Sequence, residues 1–89
     1  IGTGRHADLE PNRVLLGRSD ECDVTLREPE VSRRHAIIHR EQHRTWITDL
    51  DSANGTTVDG KAVTTTTPLR PGAQLTLGPV TFMFRLIEA

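Results

Sequence analysis

Turn-forming residues divide this chain into extended segments that are too short to be helices. Pairs such as Asp59-Gly60 and Gly78-Pro79 favour tight turns, because glycine adopts positive φ and proline fixes φ near the value that a turn requires. Between the turns, apolar and polar residues alternate with a period of two, most clearly in the segment 81–87. This pattern predicts an all-β chain with no substantial helix.

Seven regions show this strand-like alternation. We predict strands at residues 13–17, 23–26, 36–39, 45–49, 57–58 with 61–63, 74–77 and 81–87. The four consecutive threonines at 64–67 are predicted to form an exposed strand edge or a loop. Many short strands joined by turns, without crossover helices, predict an antiparallel β-sandwich.

Size and charge limit the possible functions. The chain has 89 residues, a net charge of -1 and 26% charged residues, which suits one small domain with no overall attraction to DNA or to an anionic membrane. We therefore predict no nucleic-acid partner and no membrane partner.

The single cysteine, Cys22, cannot form an internal disulfide, which fits a cytoplasmic protein. Ten of the eleven basic residues are arginine, which is typical of a bacterial source with a high-GC genome.

Ser32 and His35 form the first candidate site, because a serine beside a histidine is used in nucleophilic catalysis. Such catalysis also needs a group that orients the base and an oxyanion hole, and no catalytic motif surrounds this pair. We therefore predict no catalytic residue and no enzyme activity.

His35, His39 and His43 are spaced by four residues, which would align them on one face of a helix. The segment is predicted to form a strand and a turn, where this spacing does not bring the three side chains together, so we predict no metal site and no cofactor.

Nucleic-acid binding and phosphate capture are two further candidate functions. Basic residues are frequent between positions 33 and 44, but no helix-turn-helix or RNA-binding motif is present, and the three aromatic residues are interpreted as core. Phosphate capture is favoured by hydroxyl, amide and guanidinium donors in three loop-like stretches, at residues 17–19, 31–35 and 52–56. Charge-assisted hydrogen bonds of this kind are about twice as strong as neutral ones.

The order of these motifs resembles that of the forkhead-associated (FHA) domain. The motifs are Leu16-Gly17-Arg18-Ser19, Cys22-Asp23-Val24, Val31-Ser32-Arg33-Arg34-His35-Ala36, Asp49-Leu50 and Ser52-Ala53-Asn54-Gly55-Thr56-Thr57-Val58-Asp59-Gly60. No single motif is specific, but their order and spacing are, and the resemblance covers about residues 13–87. It implies an FHA-type β-sandwich of about ten or eleven short strands. We expect a single domain over residues 1–89, taken from a larger protein, with its first strand absent or truncated because residues 2–9 are polar.

The resemblance also implies which residues bind a ligand. FHA domains bind phosphothreonine in partner proteins through loops at one end of the sandwich, and recognition of phosphorylated motifs by arginine is a general mode of peptide binding. By motif position, Arg18 and Arg33 are expected to contact the phosphate through their guanidinium groups, and Ser32 through its hydroxyl. Asn54 is expected to hold the main chain of the peptide, since a side-chain amide both donates and accepts hydrogen bonds.

Three further residues are interpreted as site architecture. Gly17 is expected to let the backbone pass closely beneath the site, and Gly55 to supply the positive φ of an Asn-Gly turn. By resemblance, His35 is expected to join the loops by hydrogen bonds beneath the phosphate. Substitution of His35 would therefore unfold or misplace the site, and a binding defect in such a variant would not prove a direct ligand contact.

Two positions are expected to affect affinity and specificity. Ala53 stands where FHA domains often have threonine, so one hydroxyl donor, worth roughly 1.5–3 kcal/mol when it binds a charged group, is absent. Glu30 lies just before Ser32, as does Glu28, and we predict that these carboxylates disfavour an acidic residue three positions after the phosphothreonine.

The resulting prediction is a phosphothreonine-peptide-binding adaptor that recruits proteins phosphorylated by an upstream Ser/Thr protein kinase. One alternative is an FHA-fold interaction module that binds an unphosphorylated protein surface, which the alanine at position 53 favours. Another is a nucleic-acid binder that uses the basic loop, which the net charge of -1 disfavours.

Overall fold

A computed structural model of the chain describes residues 12–85, which form nine strands and no helix. The strands are β1 (Arg13–Gly17), β2 (Val24–Thr25), β3 (Ala36–Glu41), β4 (Arg44–Asp49), β5 (Thr56–Val58), β6 (Lys61–Ala62), β7 (Thr67–Leu69), β8 (Gln74–Leu77) and β9 (Val80–Met83). No segment within this described part is a helix that is long and apolar enough to cross a membrane.

The strands form two sheets. One sheet has the order β2-β1-β3-β4-β7 and the other β6-β5-β8-β9. All neighbouring strands pair in antiparallel fashion except β1 and β2, which are parallel, with Leu16 opposite Val24. The prediction of an all-β, mostly antiparallel sandwich is therefore confirmed.

The core lies between the sheets and follows from the alternation in the sequence. In β4, Thr45 and Ile47 point inward and are buried, whereas Trp46 between them is only half-buried on the outer face. In the other sheet, Leu75 and Leu77 are the buried residues of β8. The buried apolar cluster consists of Val14, Leu16, Leu26, Val31, Ala36, Ile38, Ile47, Val58, Val63, Leu69, Ala73, Leu75, Leu77 and Phe82.

Most predicted strands lie within two residues of the observed bounds, and two regions differ more. The strand β7 shares only Thr67 with the segment predicted as an exposed strand edge or a loop, and Pro68 at its centre lacks the N–H that a strand normally donates. An edge strand tolerates this residue, and β7 pairs only with β4. The final strand ends at Met83 rather than continuing to residue 87. Residues 2–9, where the truncated first strand was expected, and residues 86–87 lie outside the described part of the chain.

The topology brings several loops together at one end of the sandwich. Because antiparallel neighbours alternate in direction, Gly17 and Asp49, the last residues of β1 and β4, lie at the same end as Ala36, the first residue of β3. Thr56, the first residue of β5 in the other sheet, lies at this end too, since its hydroxyl donates to the Asp49 carboxylate at 2.7 Å. The connections that meet there are residues 18–23, 26–35 and 50–55. These connections contain the motifs that the sequence singled out, and we call this the loop end of the sandwich.

Candidate functional site

The backbone of residue 17 lies directly beneath the 31–35 segment. A Cβ atom at Gly17 would overlap the carbonyl oxygen of Arg33 and would lie 2.9 Å from the Sγ of Cys22. Glycine is thus required at this position because the Arg33 backbone approaches it closely. Its φ angle is not positive and does not explain the requirement. The thiol of Cys22 donates to the same Arg33 carbonyl at 3.2 Å.

Arg18 is held between the first two loops. Its backbone N–H donates to the carbonyl of Ser32 at 3.0 Å, and its side-chain Nε donates to the carbonyl of Val31 at 3.0 Å. The next residue, Ser19, donates its N–H to the carbonyl of Arg33 at 3.1 Å. A guanidinium has five N–H donors. The single Nε bond therefore orients the Arg18 side chain and leaves the four terminal donors for a ligand.

His35 joins the loops from below. Its side chain is completely buried, its Nδ1 accepts the backbone N–H of Ser32 at 3.1 Å, and its Nε2 lies 2.8 Å from the carbonyl oxygen of Gly55. Because Nδ1 is an acceptor, the ring proton is on Nε2 and is donated to Gly55. Both ring nitrogens are occupied by backbone groups, so neither serves as a base for the Ser32 hydroxyl.

Asp49 organises the 50–55 loop, a role that the sequence analysis did not assign. Its carboxylate accepts hydrogen bonds from the Ser52 hydroxyl at 2.6 Å, the Ser52 N–H at 3.0 Å and the Thr56 hydroxyl at 2.7 Å. Burial alone raises the pKa of Asp49, but the hydrogen bonds from Ser52 and Thr56 outweigh it, so the pKa lies below its ordinary value. The spacing of Asp49 and Ser52, three residues apart before a turn, is the sequence signal that could have identified this loop anchor.

The Ser32 hydroxyl links the second loop to the third. Its oxygen accepts the backbone N–H of Ala53 at 2.9 Å. A hydroxyl that accepts one hydrogen bond still has its own proton to donate. Ser32 is half-buried and Ala53 is exposed, so this proton is available at the surface of the loop end.

Asn54 lies on the side of the site that includes Glu30. Its side-chain Nδ2 donates to the main-chain carbonyl of Glu30 at 2.7 Å, which holds the exposed amide at the rim. Gly55, next to it, has a φ of 82°, in the left-handed region that favours glycine, and donates its N–H to the Ser52 hydroxyl at 2.9 Å. The side-chain oxygen of Asn54 has no hydrogen-bond partner within residues 12–85.

An open groove of about 490 Å³ lies beside Arg18. Its lining residues are Arg18, Ser19, Asp20, Arg27, Pro29 and Arg33. Arg18 and Arg33 are site residues predicted from the sequence, whereas Arg27 is not. The Nη2 of Arg27 lies 2.6 Å from the Oδ1 of Asp20. Arg33 and Arg34 are both exposed, and within the described chain neither guanidinium forms an ion pair. The groove therefore presents cationic donors to solvent, an arrangement suited to an anion.

The structure thus brings together the residues proposed from the sequence. The guanidinium of Arg18 and the hydroxyl of Ser32 belong to loops that are hydrogen-bonded to each other, and Arg33 lines the same groove. Asn54 lies on the neighbouring loop, which the Ser32 hydroxyl holds in place. Such preorganised donors can bind a phosphate without rearrangement of the backbone.

Comparisons with known sequences identify the family. The FHA domain model matches residues 14–78 of the chain. The FHA domain-containing protein FhaB of Mycobacterium tuberculosis is 31% identical over 83 residues, which are 93% of this chain and 54% of FhaB. The proliferation marker protein Ki-67 of Mus musculus is 34% identical over 74 residues, which are 83% of this chain and 2% of Ki-67. The chain thus spans about half the length of FhaB and a small part of Ki-67.

Solved structures share the fold. A chain from a study of phosphothreonine-dependent FHA domain interactions has a TM-score of 0.89 at 31% identity, and the match covers 99% of this chain and 91% of that one. Mycobacterium tuberculosis EmbR, solved in complex with a low-affinity phosphopeptide, has a TM-score of 0.89 at 29% identity over 96% of this chain and 22% of EmbR. Since the family model matches most of the chain and the fold agrees with solved members, the chain belongs to the FHA domain family.

Proposed function

We propose that this domain binds phosphothreonine in partner proteins and acts as an adaptor. The observation that supports this most directly is the meeting of Arg18, Ser32 and Arg33 at the loop end, where hydrogen bonds between backbones fix the loops. A phosphothreonine has about -1.5 to -2 charges at pH 7 and three acceptor oxygens, so it matches two guanidinium groups and a hydroxyl. Phosphothreonine-dependent binding has been studied in a similar FHA domain, which supports the same ligand here.

Each proposed role uses a donor that the structure leaves available. The terminal nitrogens of Arg18 and the guanidinium of Arg33 would bind phosphate oxygens, and the proton of the Ser32 hydroxyl would be donated to another. Asn54 would hold the peptide main chain through its side-chain oxygen, which accepts a peptide N–H. Gly17, His35 and Gly55 would support these residues without contacting the ligand.

The wider context of the domain is part of the same proposal. A Ser/Thr protein kinase would supply the phosphorylated partner, and the domain would recruit it without chemical conversion, as a binding module and not an enzyme. The buried thiol of Cys22, which donates to the Arg33 carbonyl, supports a cytoplasmic location, where thiols remain reduced. We also propose that the chain forms a single FHA domain within a longer protein, as in the relatives that it matches over part of their length.

A second candidate is binding to an unphosphorylated protein surface. It is favoured by Ala53, which provides only its backbone N–H, and this group already donates to Ser32. Binding of nucleic acid through the basic loop is a third candidate, supported by the exposed Arg33 and Arg34. The net charge of -1 disfavours nucleic acid and an anionic membrane surface, whose binding depends on an overall positive charge, whereas the phosphopeptide requires only the local arginines.

Titration calorimetry with a degenerate phosphothreonine peptide library separates these candidates. The comparison ligands are the unphosphorylated library, the phosphoserine library and single-stranded DNA. We expect binding that requires phosphothreonine, and a loss of at least tenfold in Arg18→Ala and in Ser32→Ala, since each removes a hydrogen bond to a charged group. Arg70→Ala is the control, because Arg70 is exposed and follows β7 at the opposite end of the sandwich. Equal binding of phosphorylated and unphosphorylated libraries would contradict the proposal.

A further inference from the structure

Arg27 is the third arginine of the groove and the only one of the three that forms an ion pair within the described chain. It lies on the connection between β2 and β3, whereas its partner, Asp20, lies on the connection between β1 and β2. Their side chains are 70% and 76% exposed, and their charged atoms are 2.6 Å apart. This pair therefore crosses between two loops at the surface of the site.

The Arg27–Asp20 pair gives the groove a cation whose partner an incoming anion can replace. Three arginines and one aspartate give the groove a net charge of +2. A phosphothreonine of about -1.5 to -2 charges neutralises most of this charge, so a second anion can bind Arg27 only in place of Asp20. An exposed ion pair contributes little to stability, so an anion from the ligand can replace Asp20 at small cost.

We propose that Arg27 is a specificity-determining residue that binds a second anionic group of the phosphopeptide, a carboxylate or a phosphate, in exchange for Asp20. This inference depends on the proposed function, because the first anion is the phosphothreonine held by Arg18 and Arg33. Asp20 then acts as an internal competitor: it occupies Arg27 in the free domain, so an anion of the peptide must displace it and gains less affinity than it would at an unpaired arginine.

Arg27 and Glu30 give the site two exposed side chains of opposite charge. Arg27 lines the groove with Arg18, whereas Glu30 does not line it and holds the Asn54 amide through its main-chain carbonyl. An anionic residue of the peptide would thus be favoured on the flank that passes Arg27 and disfavoured on the flank that passes the Glu30 carboxylate. The opposite charges of the two flanks would also fix the direction in which a charged peptide binds.

The experiment uses three sets of phosphothreonine peptides. Each flanking position is replaced in turn by alanine in the first set, by glutamate in the second and by a second phosphothreonine in the third. Affinities are measured by fluorescence anisotropy at low and at physiological ionic strength. For wild type we expect one flanking position at which an anion strengthens binding by about two- to fivefold at low salt, the range of an exposed ion pair, and less at higher salt. The glutamate and phosphothreonine sets distinguish a carboxylate ligand from a phosphate ligand.

The variants Arg27→Gln and Asp20→Asn assign the effect to this pair. We expect Arg27→Gln to lose the preference for an anionic flank and to weaken binding of the alanine peptide much less than binding of the anionic-flank peptides, whereas Asp20→Asn strengthens binding of the anionic-flank peptides most. The controls are Arg70→Gln and Glu41→Gln, which remove equivalent charges at the opposite end of the sandwich. They should leave the preference unchanged.

Three outcomes would overturn the inference. They are an equal loss of affinity for all peptides in Arg27→Gln, no effect of this substitution on any peptide, and weaker binding of anionic-flank peptides in Asp20→Asn. A wild-type domain that binds peptides regardless of phosphorylation would contradict the proposed function instead. The two failures are therefore distinguishable in the same measurements.

Discussion

His35 and Gly55 are joined by a hydrogen bond of 2.8 Å between the ring Nε2 and the main-chain carbonyl, although they are twenty residues apart in the chain. The other ring nitrogen binds the N–H of Ser32, so one buried imidazole fixes the relative positions of two loops. Its contribution is independent of any ligand, because the ring is completely buried.

Substitution of His35 should therefore destabilise the fold as well as the site. In His35→Ala, the Ser32 N–H and the Gly55 carbonyl, which belong to half-buried residues, lose their partners in the interior, and a group left unsatisfied away from water costs about 1–3 kcal/mol. We expect the free energy of unfolding to fall by about 2–6 kcal/mol, measured by urea denaturation with the fluorescence of Trp46. The control is His43→Asn, an exposed turn position with a φ of 68° that asparagine tolerates. Unchanged stability of His35→Ala would contradict the role of the imidazole as a link between loops.

Gly17→Ala tests the close approach beneath the phosphate-binding loops. The added methyl would overlap the carbonyl of Arg33, so the segment that positions Arg18 and Arg33 must move. We expect lower stability, by about 1–3 kcal/mol as for other overpacked sites, together with weaker phosphopeptide binding. Gly60→Asn is the control, because an added Cβ there meets no neighbouring atom and asparagine is among the few residues that adopt a positive φ such as the 83° of Gly60. Equal behaviour of the two variants would show that the loops do not depend on this contact.

Much of this arrangement follows from sequence pattern, but some of it does not. Alternation predicted β1 and β8 with the bounds that the structure shows, because each strand has one face in the core. The Arg27–Asp20 pair could not be predicted in this way, because it joins two irregular loops whose relative position depends on the whole sandwich. Similarly, the sequence does not show that both ring nitrogens of His35 bind backbone groups. The Gly55 carbonyl lies near the imidazole only because of the position of β5 in the fold.

Asp49 should make the stability of the domain depend on pH in the acid range. Its pKa is lower in the folded state than its ordinary value, so its contribution is complete above the ordinary aspartate pKa and is lost as pH falls through the lower folded pKa. We expect the difference in unfolding free energy between wild type and Asp49→Asn to shrink over this acid interval, measured by urea denaturation at a series of pH values. Asp51→Asn, at an exposed position of the same loop with a φ of 57°, is the control. A difference that stays constant with pH would contradict this assignment.

Glu30 should influence which residues are accepted after the phosphothreonine. Its carboxylate is exposed and its main-chain carbonyl binds Asn54, the residue proposed to hold the peptide. On a phosphothreonine peptide array, we expect acidic residues three positions after the phosphothreonine to be disfavoured by wild type and tolerated by Glu30→Gln. Glu41→Gln, at the opposite end of the sandwich, should keep the wild-type pattern. Strongest binding of acidic residues at this position by wild type would contradict the prediction.

Ala53→Thr should strengthen phosphothreonine binding. The backbone of Ala53 is already held at the site by its bond to the Ser32 hydroxyl, so a threonine there adds a hydroxyl without a need to move the loop. Position 53 is exposed, which leaves room for the larger side chain. A hydrogen bond to a charged group is worth about 1.5–3 kcal/mol, which predicts a tenfold or greater gain in affinity by calorimetry. Ala62→Thr, an exposed position in β6, is the control and should bind as wild type does. If Ala53→Thr binds no more tightly than wild type while Arg18→Ala still abolishes binding, the phosphate lies too far from the 50–55 loop for a donor at position 53 to reach it.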